Sequence, residues 1–218
     1  VTAKLKNGIS HFYDLLSQAI SLHTENTTDN YKRIANYAKF ISNQLGCSKQ
    51  QSYQTYIAGL LFDAGKLEIP QELLQKPYSE LSQHELGILK EQYLSSAVFL
   101  EETDSLVKVS DIIRHIPDYH GSKSDEELKL NSAILSTVIK FDELTTSSMD
   151  GRFKSPEEAL SEISNKSTSL YNIKTIQALK ELITLRPHCL DLELEFATPV
   201  EYLCEGDVIT QNISSDHN

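Results

Sequence analysis

The sequence of 218 residues has no tryptophan, only three cysteines, six prolines and eight glycines. Cys47, Cys189 and Cys204 are odd in number and form no C-x-x-C pair. They predict neither a zinc site nor a disulfide framework, and favour a reducing compartment. No apolar run approaches the ~18 residues of a membrane span, and no signal peptide begins the chain. We therefore expect a cytoplasmic protein that does not enter a membrane.

Basic residues are scarce relative to acidic ones. Lysine and arginine number 20 against 31 aspartates and glutamates, which gives a formal net charge of −11. This balance argues against nucleic acids and anionic membranes as partners, because both would be repelled. It leaves open the binding of one small anion in a local basic pocket. A hydrophobic content of 39% is typical of a globular chain.

Apolar residues recur at helical spacing up to about residue 185. Ile9, Phe12, Leu16 and Ile20 form one such stripe, which predicts a first helix with these residues toward the core. Gly46 is expected to end the second helix. Further helices are expected at 53–61, 82–100, 106–116, 130–144 and roughly 172–183, and another is expected to start at Ser155. Ser82 and Glu85 predict a capping box at the start of the 82–100 helix.

The helical spacing changes after residue 187. Leu190, Leu192, Leu194 and Phe196 alternate with acidic residues, which predicts a β-strand. The predicted fold is all-α, a helical bundle with a small C-terminal β element. We expect a coupling helix at 1–26, the helical domain at 27–186 and the β tail at 187–218.

One segment carries specific information. Residues 60–70 read L-L-F-D-A-G-K-L-E-I-P. This segment resembles the HD-GYP family, helical metal-dependent phosphodiesterases of the HD superfamily that open cyclic di-GMP, in which it reads L-L-H-D-I-G-K-I-x-I-P. Further matches follow at family spacing, at 30–34, 89–92, 112–116, 134–145 and 155–160. They cover roughly residues 20–185, and imply an HD-superfamily bundle.

The resemblance implies a cluster of His and Asp that holds two or three Fe or Mn ions, with a metal-bridging hydroxide as nucleophile. Of seven ligand positions, only Asp63 and His115 hold the residue type that the family has there. The neighbouring motif lysine, Lys66, which is not a ligand position, is also present. The other five positions hold Asn30, Phe62, Gln92, Ile116 and Ile139. Two ligands cannot hold a dinuclear centre, so we expect no metal, no cofactor and no catalytic residues.

Asp63, His115, Arg152 and Lys154 each have a functional and a structural interpretation. Asp63 is either a residual ligand or, more often at such a position, a buried carboxylate between helices. His115 is either a ligand or a hydrogen-bonded core histidine. Arg152 and Lys154 lie near positions where the family binds phosphates, and otherwise form a solvated basic face. The family's D-G-x-G-Y-P loop is replaced at 120–125.

We hypothesise a catalytically inactive output domain that acts by binding, in cyclic di-GMP or two-component signalling. The expected partner is a signalling protein or receiver domain, or cyclic di-GMP itself. A receiver or other sensory domain is expected to precede Val1. Two alternatives stay open: a residual metal-dependent phosphohydrolase, and a domain that only forms homodimers through the helix at 6–23.

Overall fold

A computed structural model describes residues 2–24, 28–77, 80–117, 125–146, 153–165 and 172–185, although not the side chains of 2–10, 28 and 185. The fold within these ranges is an all-α bundle without strands, as predicted. The predicted β tail lies outside them. The helices are α1 (Thr2–Thr24), α2 (Thr28–Gln44), α3 (Lys49–Leu61), α4 (Gln71–Leu74), α5 (Gln83–Lys90), α6 (Gln92–Glu101), α7 (Val107–Arg114), α8 (Glu126–Thr146), α9 (Pro156–Asn165) and α10 (Ile173–Leu185), with 3₁₀ helices at Ala64–Glu68 and Asp104–Leu106.

Local signals in the sequence set several helix ends. Gly46 has a φ of 80°, and the next residue's N–H reaches back to the carbonyl of Ser42, so α2 ends in a Schellman motif as predicted. Ser82 and Glu85 form the expected capping box at the start of α5. Hydrogen bonds from Ser82, supported by Lys76, lower the pKa of Glu85 to about 2.

The region predicted as a single helix from 82 to 100 is divided. The α5 helix ends and α6 begins around Glu91, whose ψ is 0°. The Glu91 N–H points at the carbonyls of Gly87 and Ile88 together, so the ladder is tightened at this residue. Apolar spacing does not report such a break, because Leu86, Leu89, Tyr93 and Leu100 recur at helical spacing across it.

The core lies between α2, α3 and α8, with α7, α9 and α10 packed around them. The α8 helix is buried along most of its length, including Ile134, Leu135 and Phe141. The α1 helix covers α2, α3 and the 3₁₀ helix Ala64–Glu68. No helix in the described ranges is long and apolar enough to cross a membrane.

The predicted inward stripe of α1 is wrong at Phe12. The helix turns Tyr13, Ser17 and Ile20 toward the core, whereas the side chain of Phe12 is 56% exposed. The spacing from Phe12 to Leu16 and Ile20 fits a helix, but it does not identify which of two apolar faces meets the core. Phe12 belongs to the other face.

Helices α2 and α3 approach each other closely at Gly59. A Cβ atom added there would lie 2.7 Å from the Cα of Ala35, which is backbone and cannot turn away. The absence of a side chain therefore permits the helix packing that carries the end of α3 into the core.

We predict that Gly59→Ala lowers the free energy of unfolding by about 1–3 kcal/mol, because overpacking outweighs the better helix propensity of alanine. Gly87 in α5 is the matched control, since a Cβ there meets nothing within 4 Å. Gly87→Ala should stabilise by about 0.5–1 kcal/mol. Urea unfolding of both variants checks this, and an equal effect of the two would contradict it.

Candidate functional site

The expected ligand positions lie on, or directly after, helices α2, α3, α6, α7 and α8. Asn30 is on α2, Gln92 begins α6, and Ile139 is on α8. Phe62 and Asp63 follow α3 directly, and His115 and Ile116 follow α7 in the same way. Because α3 contacts α2, α7 and α8, the fold gathers the helices that would carry such a site.

Asp63 is a buried carboxylate, with only 2% of the residue exposed. The Lys66 ammonium lies 2.7 Å from its Oδ2 atom, and the Tyr31 hydroxyl donates to the same oxygen at 3.1 Å. Oδ1 has no hydrogen-bond partner within the part of the chain that the structure describes. The pair of a lysine and a tyrosine satisfies the charge of Asp63 without a metal.

Phe62 occupies the position at which the family has the histidine of its His-Asp pair. Its ring lies between two aromatic rings, with centroid distances of 5.6 Å to Tyr31 and 6.4 Å to Tyr93. The residue is buried, in one apolar cluster with Ile116 and Ile139. Three former ligand positions therefore contribute hydrocarbon to the core.

The turn that holds Asp63 is fixed against α6 by Ser96. The Ser96 hydroxyl lies 2.7 Å from the Phe62 carbonyl, to which it donates, and accepts the N–H of Gly65 at 2.8 Å. A Cβ on Gly65 would lie 2.5 Å from the backbone nitrogen of Ser96. Glycine is thus required for the turn to approach α6 this closely.

His115 is half-buried at the end of α7. Its Nδ1 atom lies 2.8 Å from the Asp111 carbonyl one turn earlier in the same helix. The adjoining position holds Ile116, which is buried, and not a second histidine. This geometry agrees with a histidine that satisfies its own helix end.

The remaining positions hold uncharged groups. Asn30 is half-buried, and its Oδ1 accepts a hydrogen bond from Arg33 at 2.9 Å. Gln92 is also half-buried, and its backbone carbonyl lies 2.8 Å from the Ser96 hydroxyl, which shares its one proton between this carbonyl and that of Phe62. An amide oxygen is a weaker metal ligand than a carboxylate and carries no compensating charge.

The sequence did not reveal the buried ion pair of Arg33 and Asp142, which joins α2 to α8. The Arg33 Nε atom lies 2.6 Å from Asp142 Oδ1, and Thr146 donates to Oδ2 at 3.2 Å. Burial raises the pKa of Asp142 above its usual value, against the opposing effects of Arg33 and Thr146. Both charged residues lie in matched motifs, at 30–34 and 134–145, which is a signal that could have paired them.

The two candidate phosphate-binding residues have different outcomes. Arg152 lies outside the described residues. Lys154 forms a salt bridge with Glu162 of α9. Its role in phosphate binding stays a prediction.

The residues present do not fit the family's metal centre. No group of three or more His, Cys, Asp or Glu side chains is placed to hold a metal ion within the described ranges. Asp63 supplies one carboxylate oxygen without a hydrogen-bond partner among the described residues, whereas even an open catalytic zinc site takes about three protein ligands. The arrangement supports a packed core that contains two ion pairs, Asp63–Lys66 and Arg33–Asp142.

Comparison with known proteins identifies one family. Residues 14–174 match the sequence model of a family described as "HD domain". The match begins inside α1, ends in α10, and includes each former ligand position from Asn30 to Ile139. No curated protein matches the chain.

We predict that Asp63→Ala lowers the free energy of unfolding by about 1–3 kcal/mol, since it removes the acceptor of Tyr31 and Lys66. Asp63→Asn keeps an acceptor for Tyr31 and should lose less stability. Tyr31→Phe, which leaves the Lys66 pair intact, serves as a further comparison. Chemical unfolding measures all three variants, and wild-type stability of Asp63→Ala would show that the network is unimportant.

Proposed function

Since this chain belongs to the HD-domain family, a family of the metal-dependent phosphohydrolase type, we propose that it is a catalytically inactive member that acts by binding in a signalling pathway. The observation that carries the proposal is the position of Phe62. A buried phenyl ring, packed between Tyr31 and Tyr93, stands where the family's His-Asp pair has its metal-binding histidine.

The loss of ligands is coupled to a gain in packing. Phe62, Ile116 and Ile139 are each at most 5% exposed and belong to the main core cluster. Burial of a side chain of this size contributes about 1.5–3 kcal/mol, whereas a hydrated metal ion needs polar walls. The apolar replacements therefore stabilise the fold where an active site would expose polar groups.

The motif residues that remain have structural partners. Arg33 pairs with Asp142, Asp63 with Lys66, and Gly65 permits the contact with Ser96. Each would be retained by a protein that needs the HD fold without its reaction. This supports the interpretation that the sequence resemblance reflects the fold, and that function lies on the surface.

We propose a protein, such as a receiver domain or another signalling protein, as the binding partner. The net charge of −11 disfavours a polyanionic ligand, while several large apolar side chains are exposed. Cyclic di-GMP is the alternative ligand, and calorimetry with the nucleotide distinguishes the two. Binding of the nucleotide at micromolar affinity would favour the alternative.

A residual metal-dependent phosphohydrolase is the second candidate function. One observation favours it, namely the buried Oδ1 atom of Asp63 that lacks a hydrogen-bond partner among the described residues. Such an oxygen suits a water molecule as well as a metal ion. The metal content of the protein separates these cases.

We predict that the purified chain contains far less than one Fe or Mn per molecule and does not cleave cyclic di-GMP. Elemental analysis and a hydrolysis assay with added Mn²⁺ measure both quantities. The proposal fails if metal is stoichiometric and cleavage is lost in Asp63→Ala. Cleavage that is unchanged in that variant indicates a contaminating enzyme.

We also predict that Phe62→His does not restore metal binding, and lowers the free energy of unfolding by about 2–4 kcal/mol because a polar ring replaces a packed one. Phe153→His is the matched control, since Phe153 is 65% exposed. It should change stability by less than about 0.5 kcal/mol. Thermal unfolding with and without Mn²⁺ tests this, and stabilisation of Phe62→His by Mn²⁺ would contradict it.

A further inference from the structure

Helix α1 has two apolar faces, and only one of them meets the core. Tyr13, Ser17 and Ile20 face inward. A second row lies on the outer side and is exposed, with 50% of Leu15 and 80% of Leu22 accessible. We call this row the α1 stripe, and its described members are Phe12, Leu15, Ala19 and Leu22.

The α1 stripe has the spacing of a helix-pairing seam. Its members are separated by three, four and three residues, the a/d repeat with which two helices pack knobs into holes. A solvent-facing side of a helix normally carries charges. Between residues 7 and 24, however, Asp14 is the only formally charged residue, in a chain that is 23% charged. Depletion of charge marks the centre of a protein interface.

The apolar surface continues from α1 onto α6. A groove of about 700 Å³ runs between the two helices and is lined by Phe12 and Leu16 on one side. Its other side is formed by Leu94, Val98 and Phe99, which we call the groove wall and which are each more than 40% exposed. Phe12 thus belongs to both the α1 stripe and the groove.

The size of the surface requires both parts. A stable interface buries about 800 Å² on each partner. A fully buried aromatic side chain contributes at most about 250 Å², so the three large members of the α1 stripe fall short alone. The groove wall adds three further exposed apolar side chains beside them.

The chain's own C-terminal segment is a poor occupant for this surface. Residues 187–218 contain seven acidic residues and no lysine or arginine. The groove is lined by Glu68 and Glu102, which would repel them. A suitable occupant combines an apolar a/d row with basic residues.

We propose that this occupant is the α1 helix of a second copy, which pairs antiparallel with the first across a two-fold axis near residue 17. A two-fold interface uses the same patch twice, and antiparallel pairing sets Phe12 beside the second copy's Leu22, and Leu15 beside its Ala19. This homodimer goes beyond the proposed function, because it does not depend on whether the site around Asp63 catalyses a reaction.

Charge complementarity selects the antiparallel direction. The beginning of α1 contains Lys4 and Lys6 in sequence. The end of α1 lies beside two acidic residues. His23 Nε2 is 2.8 Å from the carbonyl of Ile69, the residue after Glu68, and the exposed Asp29 lies in the first turn of α2. Antiparallel pairing places the basic beginning of each helix at the acidic end of the other, whereas parallel pairing places like charges together.

Sedimentation velocity over a concentration series tests the proposal. The wild-type chain should dimerise reversibly, and Leu15→Glu with Leu22→Glu should weaken the dissociation constant at least about tenfold. Circular dichroism of this variant serves as the control and should show wild-type helix content. Phe153→Glu with Ile173→Glu, at two equally exposed apolar positions elsewhere, should leave the dimer intact.

The proposal is overturned by a wild-type chain that stays monomeric, by a dimer that tolerates the Leu15 and Leu22 changes, or by a dimer that the Phe153 and Ile173 control dissociates. Direction is tested by Lys4→Glu with Lys6→Glu, which should weaken the dimer. Adding Asp29→Lys and Glu68→Lys should then restore it. Failure of this rescue contradicts antiparallel pairing.

Discussion

The rest of the structure depends on the burial of one carboxylate at the end of α3. Asp63 is 2% exposed in a core of hydrocarbon, which is unfavourable unless its charge is matched. Lys66, one turn further along the 3₁₀ helix, and Tyr31 on α2 supply that match. Ser96 and Gly65 then fix the same turn against α6. Helices α2, α3 and α6 therefore meet around Asp63, at the position where the HD-GYP resemblance implies a metal ligand.

Much of the fold could be predicted because its signals are local. The Gly46 helix end and the Ser82 capping box follow from residues within a few positions of each other, and both are confirmed. Phe12 could not be placed from spacing, because α1 has two apolar faces and the choice between them depends on α2 and α3. The division at Glu91 is likewise hidden from the spacing, because apolar residues recur at helical intervals on both sides of it.

The site was predictable as a set of positions but not as a set of contacts. The motif spacing located Phe62, Asp63 and Ile139, and the interpretation of Asp63 as a carboxylate held between helices agrees with its two donors. The Arg33–Asp142 pair spans 109 residues, and no local pattern reports a partner at that separation. The motif residues Arg33, Asp63 and Gly65 thus maintain helix contacts, so the resemblance to the HD-domain family is carried in part by residues that serve the fold.

The most direct test of the central claim is the anomalous diffraction of a crystal grown with excess Mn²⁺. We expect no manganese peak near Asp63, with Phe62 and Ile139 still buried in the core and at most a water molecule on the Oδ1 atom. A manganese ion at roughly 2.2 Å from Asp63 Oδ1, with further ligands around it, would show that the site still binds metal and would contradict the account.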